Sequence, residues 1–224
     1  MIEIHPSENK RTALRKIVSP IELILSLSVL FTILLLIARI EYTHDWSYRF
    51  YAWNLFLATI PLLCTRLLYK QQYGFKAFAL IACWLLFFPN APYVITDIFH
   101  FEQRPPVPQW YDLVLVFSAA WSGMLLGVVS LLQVESFLSQ HWRKKYVRGF
   151  VFLSLILCGF GIYLGRVLRF NSWDIVTNPQ ELFMAMLSRF IHPFAHTGAW
   201  AFTALFAAMF GMVYYSCRYI GRSV

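Results

Sequence analysis

Charge is what this chain has least of. Only 13% of its 224 residues are Asp, Glu, Lys or Arg, about half of the ~25% usual in a soluble domain. Together with 59% hydrophobic residues and a mean hydropathy of +0.58, that scarcity argues against a soluble globular enzyme and for an integral membrane protein. Cysteine is also sparse. Cys64, Cys83, Cys158 and Cys217 all fall in or at the ends of apolar segments. They have no metal-type spacing and suggest no disulfide framework, so they read as small core residues. The chain has no G-x-S-x-G, H-E-x-x-H or P-loop, which removes the best-marked hydrolase and nucleotidase chemistries. It has no internal repeat and no soluble module. No small-residue cleavage site follows the first apolar run, and Met1 to Lys16 is polar and basic, so the first span is expected to stay in the mature protein.

What the chain does have is long apolar runs. A span needs about 20 mainly apolar residues. Six stretches qualify, at about 17–38, 50–69, 76–99, 111–138, 149–168 and 198–216. A seventh run, 181–191, is too short to cross and reads as an amphipathic or re-entrant helix opened by Asn178-Pro179. The expected fold is therefore an all-α bundle of six membrane helices plus one short outer helix, forming one domain over 1–224.

The connections sort by charge. Most of the 19 Lys and Arg lie at the termini, around Arg66 to Lys76, and around Arg143 to Arg148. Only Arg39, Arg49, Arg104, Arg166, Arg169 and Arg189 lie on the other side. Basic loops favour the cytoplasm, so both termini are expected inside, as an even number of spans requires. The net charge of +8 then reflects topology and anionic headgroups, with no call for nucleic acid.

The outer side is chemically mixed, and the third span shows it best. "FPNAPYVITD" breaks between Pro89 and Pro92, because two prolines remove two N–H donors and disfavour helix before each. Irregular backbone at membrane depth needs protein or a water-filled cavity to satisfy it. Asn90 is a candidate N-cap for a second helix over 91–99. Asp97 and His100 are three apart on that helix and share a face, a spacing suited to acid–base work or to a divalent metal. Asp112 follows Trp110-Tyr111 at the start of the next span, where the helix dipole favours a carboxylate.

Arg166 and Arg169 in "GRVLRFNSWD" would share one helix face and need an anion between them, either Asp97, Asp112 or Asp174, or a lipid phosphate. Asn171, Ser172 and Asp174 are candidate caps. In "FIHPFAHTGAW", His192 as N-cap and Pro193 as first helical residue put His196 one turn on, and His at i and i+4 is a common metal-ligand spacing. Asn54 is a lone amide inside the second span, where buried amides usually bond across helices.

These segments resemble a known family of multi-pass bacterial membrane proteins, the domain-of-unknown-function-1361 family. The resemblance rests on "WNLFLATIP", "FPNAPYVITD" with His100, "WYDL", "GRVLRFNSWD" and His192-Pro193. It covers nearly the whole chain after the first span. It implies a bacterial plasma (inner) membrane location and carries no settled activity.

The leading expectation is an enzyme at the outer leaflet acting on a lipid or cell-envelope substrate. Asp97, His100, Asp112, Asp174 and His192 are its candidate catalytic groups. Asn54, Asn90, Arg166, Arg169 and Asn171 are candidates to hold an anionic lipid or envelope precursor. Asp97, His100, His192 and His196 are candidate ligands for a divalent metal. Two rivals stay open. One is a small transporter or channel, which needs a wet path reaching Gln133 and Glu135. The other is a non-catalytic scaffold or assembly factor whose polar cluster is a closed structural network. Substrate and oligomeric state are not specified by the sequence.

Overall fold

In the computed structural model, residues 6–223 are described apart from Gln103; for residues 6–19, His100 and 221–223 only the backbone is described. Every regular element among the described residues is helical. In chain order they are α1 Pro6–Thr43, α2 Phe50–Leu68, α3 Phe75–Phe87, the single turn α4 Asn90–Tyr93, a 3-10 helix Val94–His100, α5 Gln109–Ser139, α6 Lys144–Arg166, the single turn α7 Asp174–Thr177, α8 Pro179–Ile191, a 3-10 turn Pro193–His196, and α9 Thr197–Ser223. Six segments are long and apolar enough to cross a membrane: Pro20–Thr43, Phe50–Leu68, Phe75–Phe99, Gln109–Ser139, Lys144–Arg166 and Pro193–Ile220. They match the six expected runs, with ends displaced by a few residues.

α5 is the hub. One side of it packs with α1, α2 and α4 through Leu115, Ala119 and Leu126. The other packs with α3, α6 and α9 through Val128, Leu131 and Leu138. Trp84 stacks on Phe88 with ring centroids 4.4 Å apart, and its indole N–H donates to Ser130 Oγ at 3.2 Å. The bundle is thus apolar with single hydrogen bonds as tie points, as expected where every polar group must find a protein partner. α1 lies at the periphery and reaches α5 through Ser28 Oγ to Ser122 Oγ (2.6 Å) and Thr32 Oγ1 to Ser118 Oγ (3.1 Å).

The break in the third span is gentler than the prolines suggest. Phe88 and Pro89 keep right-handed helical angles, and the span passes from α3 through α4 into a 3-10 helix. Asn90 is not an N-cap. It is the first residue of α4, and its side-chain amide donates to Phe87 O at 3.0 Å and to Ser172 Oγ at 2.8 Å. The turn fits because its neighbours have no side chain where it passes. A Cβ on Gly123 of α5 would stand 2.5 Å from Ala91 O, and one on Gly161 of α6 would stand 2.5 Å from the Pro89 ring. Two glycines on flanking helices therefore form the slot that receives the broken segment.

Candidate functional site

Five of the six spans deliver polar side chains to the end of the bundle away from the termini. There they form two buried clusters, one centred on Asp97 and one on Asp112.

Asp97 sits in the 3-10 helix and is 1% exposed. Its Oδ2 accepts from Asn54 Nδ2 at 2.7 Å. Its Oδ1 lies 3.5 Å from Arg166 Nη1. Arg166 also donates from Nη2 to Thr96 O, and its guanidinium stands over the rings of Tyr93 and Phe99 at 5.8 and 5.6 Å. The backbone carbonyl of Asp97 accepts from Tyr51 Oη at 3.0 Å. Asn54, Asp97 and Arg166 therefore meet, joining α2, the broken span and α6; the sequence offered Asp97 as one of three carboxylates for Arg166 and named no partner for Asn54.

Asp112 goes elsewhere. It lies in the first turn of α5, and its partner is Arg39 near the end of α1, with Nε to Oδ1 at 2.7 Å and Nη2 to Oδ2 at 3.3 Å. Both side chains are 1% exposed. Asp112, one of the three carboxylates the sequence offered to Arg166 and Arg169, is thus taken by Arg39. Arg39 also lies 3.6 Å from Asp45 Oδ2 and 4.2 Å over the Tyr48 ring, which Arg104 approaches at 5.2 Å. Asp45 accepts from the Ser47 hydroxyl and backbone N–H. Those bonds, helped by Arg39, hold its carboxyl below the ordinary range. Burial pushes the Tyr48 phenol up. Charge separation laid the outer arginines out one by one without marking Arg39. The available signal was its position inside a still-apolar run, "LLLIARI".

The remaining candidates disperse. α6 ends at Arg166, and Arg169 adopts a left-handed φ of +63° and is exposed. The two arginines therefore do not share a helix face. Asp174 turns inward on its own loop, accepting from the Asn171 N–H at 2.6 Å and from Thr177 Oγ1 at 3.0 Å. Its carboxylate stabilises that turn, and Asn171 contributes its backbone there. His192 precedes a 3-10 turn, where residues three apart eclipse, so His196 at i+4 does not line up with it as it would on an α-helix. His192 is exposed, and His196 Nε2 pairs with Ser188 Oγ at 3.1 Å. The side chain of His100 lies outside the described residues. Among the described residues no three His, Cys, Asp or Glu side chains gather as a metal-ligand set.

A family model described as "Protein of unknown function (DUF1361)" matches residues 53–213. The chain belongs to this family. The DUF1361 match includes Asn54, Asp97, Asp112 and Arg166 and leaves out Arg39 and the first span. No curated protein and no solved structure matches the chain.

The termini-side end of this DUF1361 protein holds its own network. Gln133 Oε1 accepts from Thr65, and the Gln133 backbone carbonyl accepts from Tyr69 Oη at 3.0 Å. Glu135 pairs with Arg218 and accepts from Tyr214 Oη at 2.5 Å. Gln133 and Glu135 are 5% and 9% exposed, and the Gln133 side-chain oxygen and the Glu135 carboxylate both meet protein partners.

Proposed function

We propose that this DUF1361 protein is a non-catalytic scaffold of the bacterial plasma membrane, with both termini in the cytoplasm and its Asp97 and Asp112 clusters at the extracytoplasmic face. One observation carries the reading. The two carboxylates best placed for chemistry, Asp97 and Asp112, are almost wholly buried, and each has both oxygens engaged by protein donors. A general acid or base has to come within about 2.6–3.2 Å of the proton it moves. A carboxylate enclosed by an amide and a guanidinium is arranged to hold helices together. The engagement of Gln133 and Glu135 weighs against a polar conduction path in the same way. The excess of Lys and Arg beside the termini supports the orientation.

Two measurements on the detergent-purified protein test this. Asp97→Asn leaves Arg166 without its carboxylate, and a structural role predicts a loss of about 1–3 kcal/mol in unfolding free energy. Unchanged stability would count against it. Metal analysis of the same preparation separates the scaffold from a metalloenzyme. The scaffold predicts no stoichiometric divalent metal, whereas one metal per chain that disappears in His100→Ala and His192→Ala would overturn it.

A further inference from the structure

α1 leans on α5 and scarcely meets α2, which leaves a trough along the flank of the bundle. It measures about 360 Å³ and is walled by Leu25, Val29 and Ile33 of α1 and by Leu62 and Leu63 of α2, with Leu126 of α5 as its floor. Two hydroxyls line it, and both are used within their own helices. Ser26 donates to Glu22 O at 2.8 Å and Thr59 to Phe56 O at 2.7 Å. Away from Arg66 at its mouth, the trough is lined by apolar side chains and by these two internally bonded hydroxyls. Empty, it would cost its walls their dispersion contacts.

Shape and charge decide what fills it. Leu25 to Ile33 is eight residues of helix, roughly 12 Å at 1.5 Å per residue. Spread over that length, the volume gives a mean cross-section of about 30 Å², against roughly 80 Å² for a helix about 10 Å across. A single extended hydrocarbon chain suits the trough better than another helix. The termini-side mouth is marked by Arg66, whose Nη2 reaches Glu22 at 3.0 Å across the gap while the side chain stays 44% exposed. Guanidinium carries five N–H donors, so Arg66 keeps capacity for a second anion beside Glu22.

We propose that the trough is a lipid site: it takes one acyl chain of an anionic phospholipid from the termini-side leaflet, with the lipid phosphate on Arg66. The site lies at the opposite end of the bundle from the Asp97 and Asp112 clusters and stands whether or not those clusters are catalytic.

The probe is native mass spectrometry of the full chain, loaded from bilayer discs of equimolar dioleoyl phosphatidylglycerol and dioleoyl phosphatidylcholine. The wild type is expected to retain one lipid per chain, with phosphatidylglycerol favoured about fivefold, the effect of one basic side chain near an anionic headgroup. Arg66→Gln, a change at a half-exposed position, is expected to keep the lipid and lose the preference. Val29→Phe with Leu63→Phe, the latter at a residue 47% exposed, fills the trough and is expected to lose the lipid at unchanged unfolding temperature. The site is refuted by equal retention of the two lipids in the wild type, by no retained lipid, by retention that ignores both variants, or by a second copy of the chain held where the lipid should be.

Discussion

At the residue scale the molecule is governed by a few polar side chains that have no solvent to turn to. Asn54 holds Asp97 Oδ2 at 2.7 Å in a site where burial removes any water substitute. Asn54→Leu should therefore destabilise by about 1–3 kcal/mol, the cost of a buried acceptor left without its donor, as read by thermal unfolding in detergent. Asp97, Asn54 and Arg166 were legible because polar residues are conspicuous in apolar runs and helical spacing sets their height in the bilayer. Arg39 was not, because a lone arginine near a span end is ordinarily a snorkelling side chain. Only the fold shows that it turns inward to Asp112. His192 and His196 part for a different reason. The H-x-x-x-H spacing assumes an α-helix, and Pro193 opens a 3-10 turn there instead.

At the element scale the decisive feature is the slot for the broken third span. The prolines announced the break, but the side chains that admit it belong to other helices and cannot be read from local sequence. Gly123→Ala puts a methyl against the Ala91 carbonyl. Overpacking costs about 1–3 kcal/mol, while replacing a mid-helix glycine returns about 0.5–1 kcal/mol. A net loss is expected, on the order of 1 kcal/mol by the same figures. Gly149→Ala, inside α6 with nothing within 4 Å, is the matched control, with an expected gain of about 0.5–1 kcal/mol in the same unfolding assay. α8 was readable from its length and its Asn-Pro start. Its Phe183, Met184, Phe190 and Ile191 are exposed between the ends of two spans, where an apolar face seeks the headgroup boundary. A nitroxide at Met184 should relax faster with oxygen than with a water-soluble nickel chelate, and the reverse ranking would place α8 in water.

At the scale of the whole molecule, the spans and their even number came directly from hydropathy, because length and apolarity are the constraints a bilayer imposes. The pairing of helices did not. Which span neighbours which depends on side-chain fit around α5, and hydropathy carries no record of that. The proposed scaffold role belongs to the assembled bundle, whose polar end joins helices through buried polar pairs. The buried pair that ties α1 to α5 tests it most directly. A double-mutant cycle of Arg39→Met and Asp112→Leu, read by unfolding free energy in detergent, isolates the pair. Removing one partner strands a buried charge and should cost about 3–5 kcal/mol in either single variant, while the double variant, with two apolar side chains, should recover most of that loss. Singles that unfold like the wild type, or a double variant whose loss equals the sum of the two, would contradict the account.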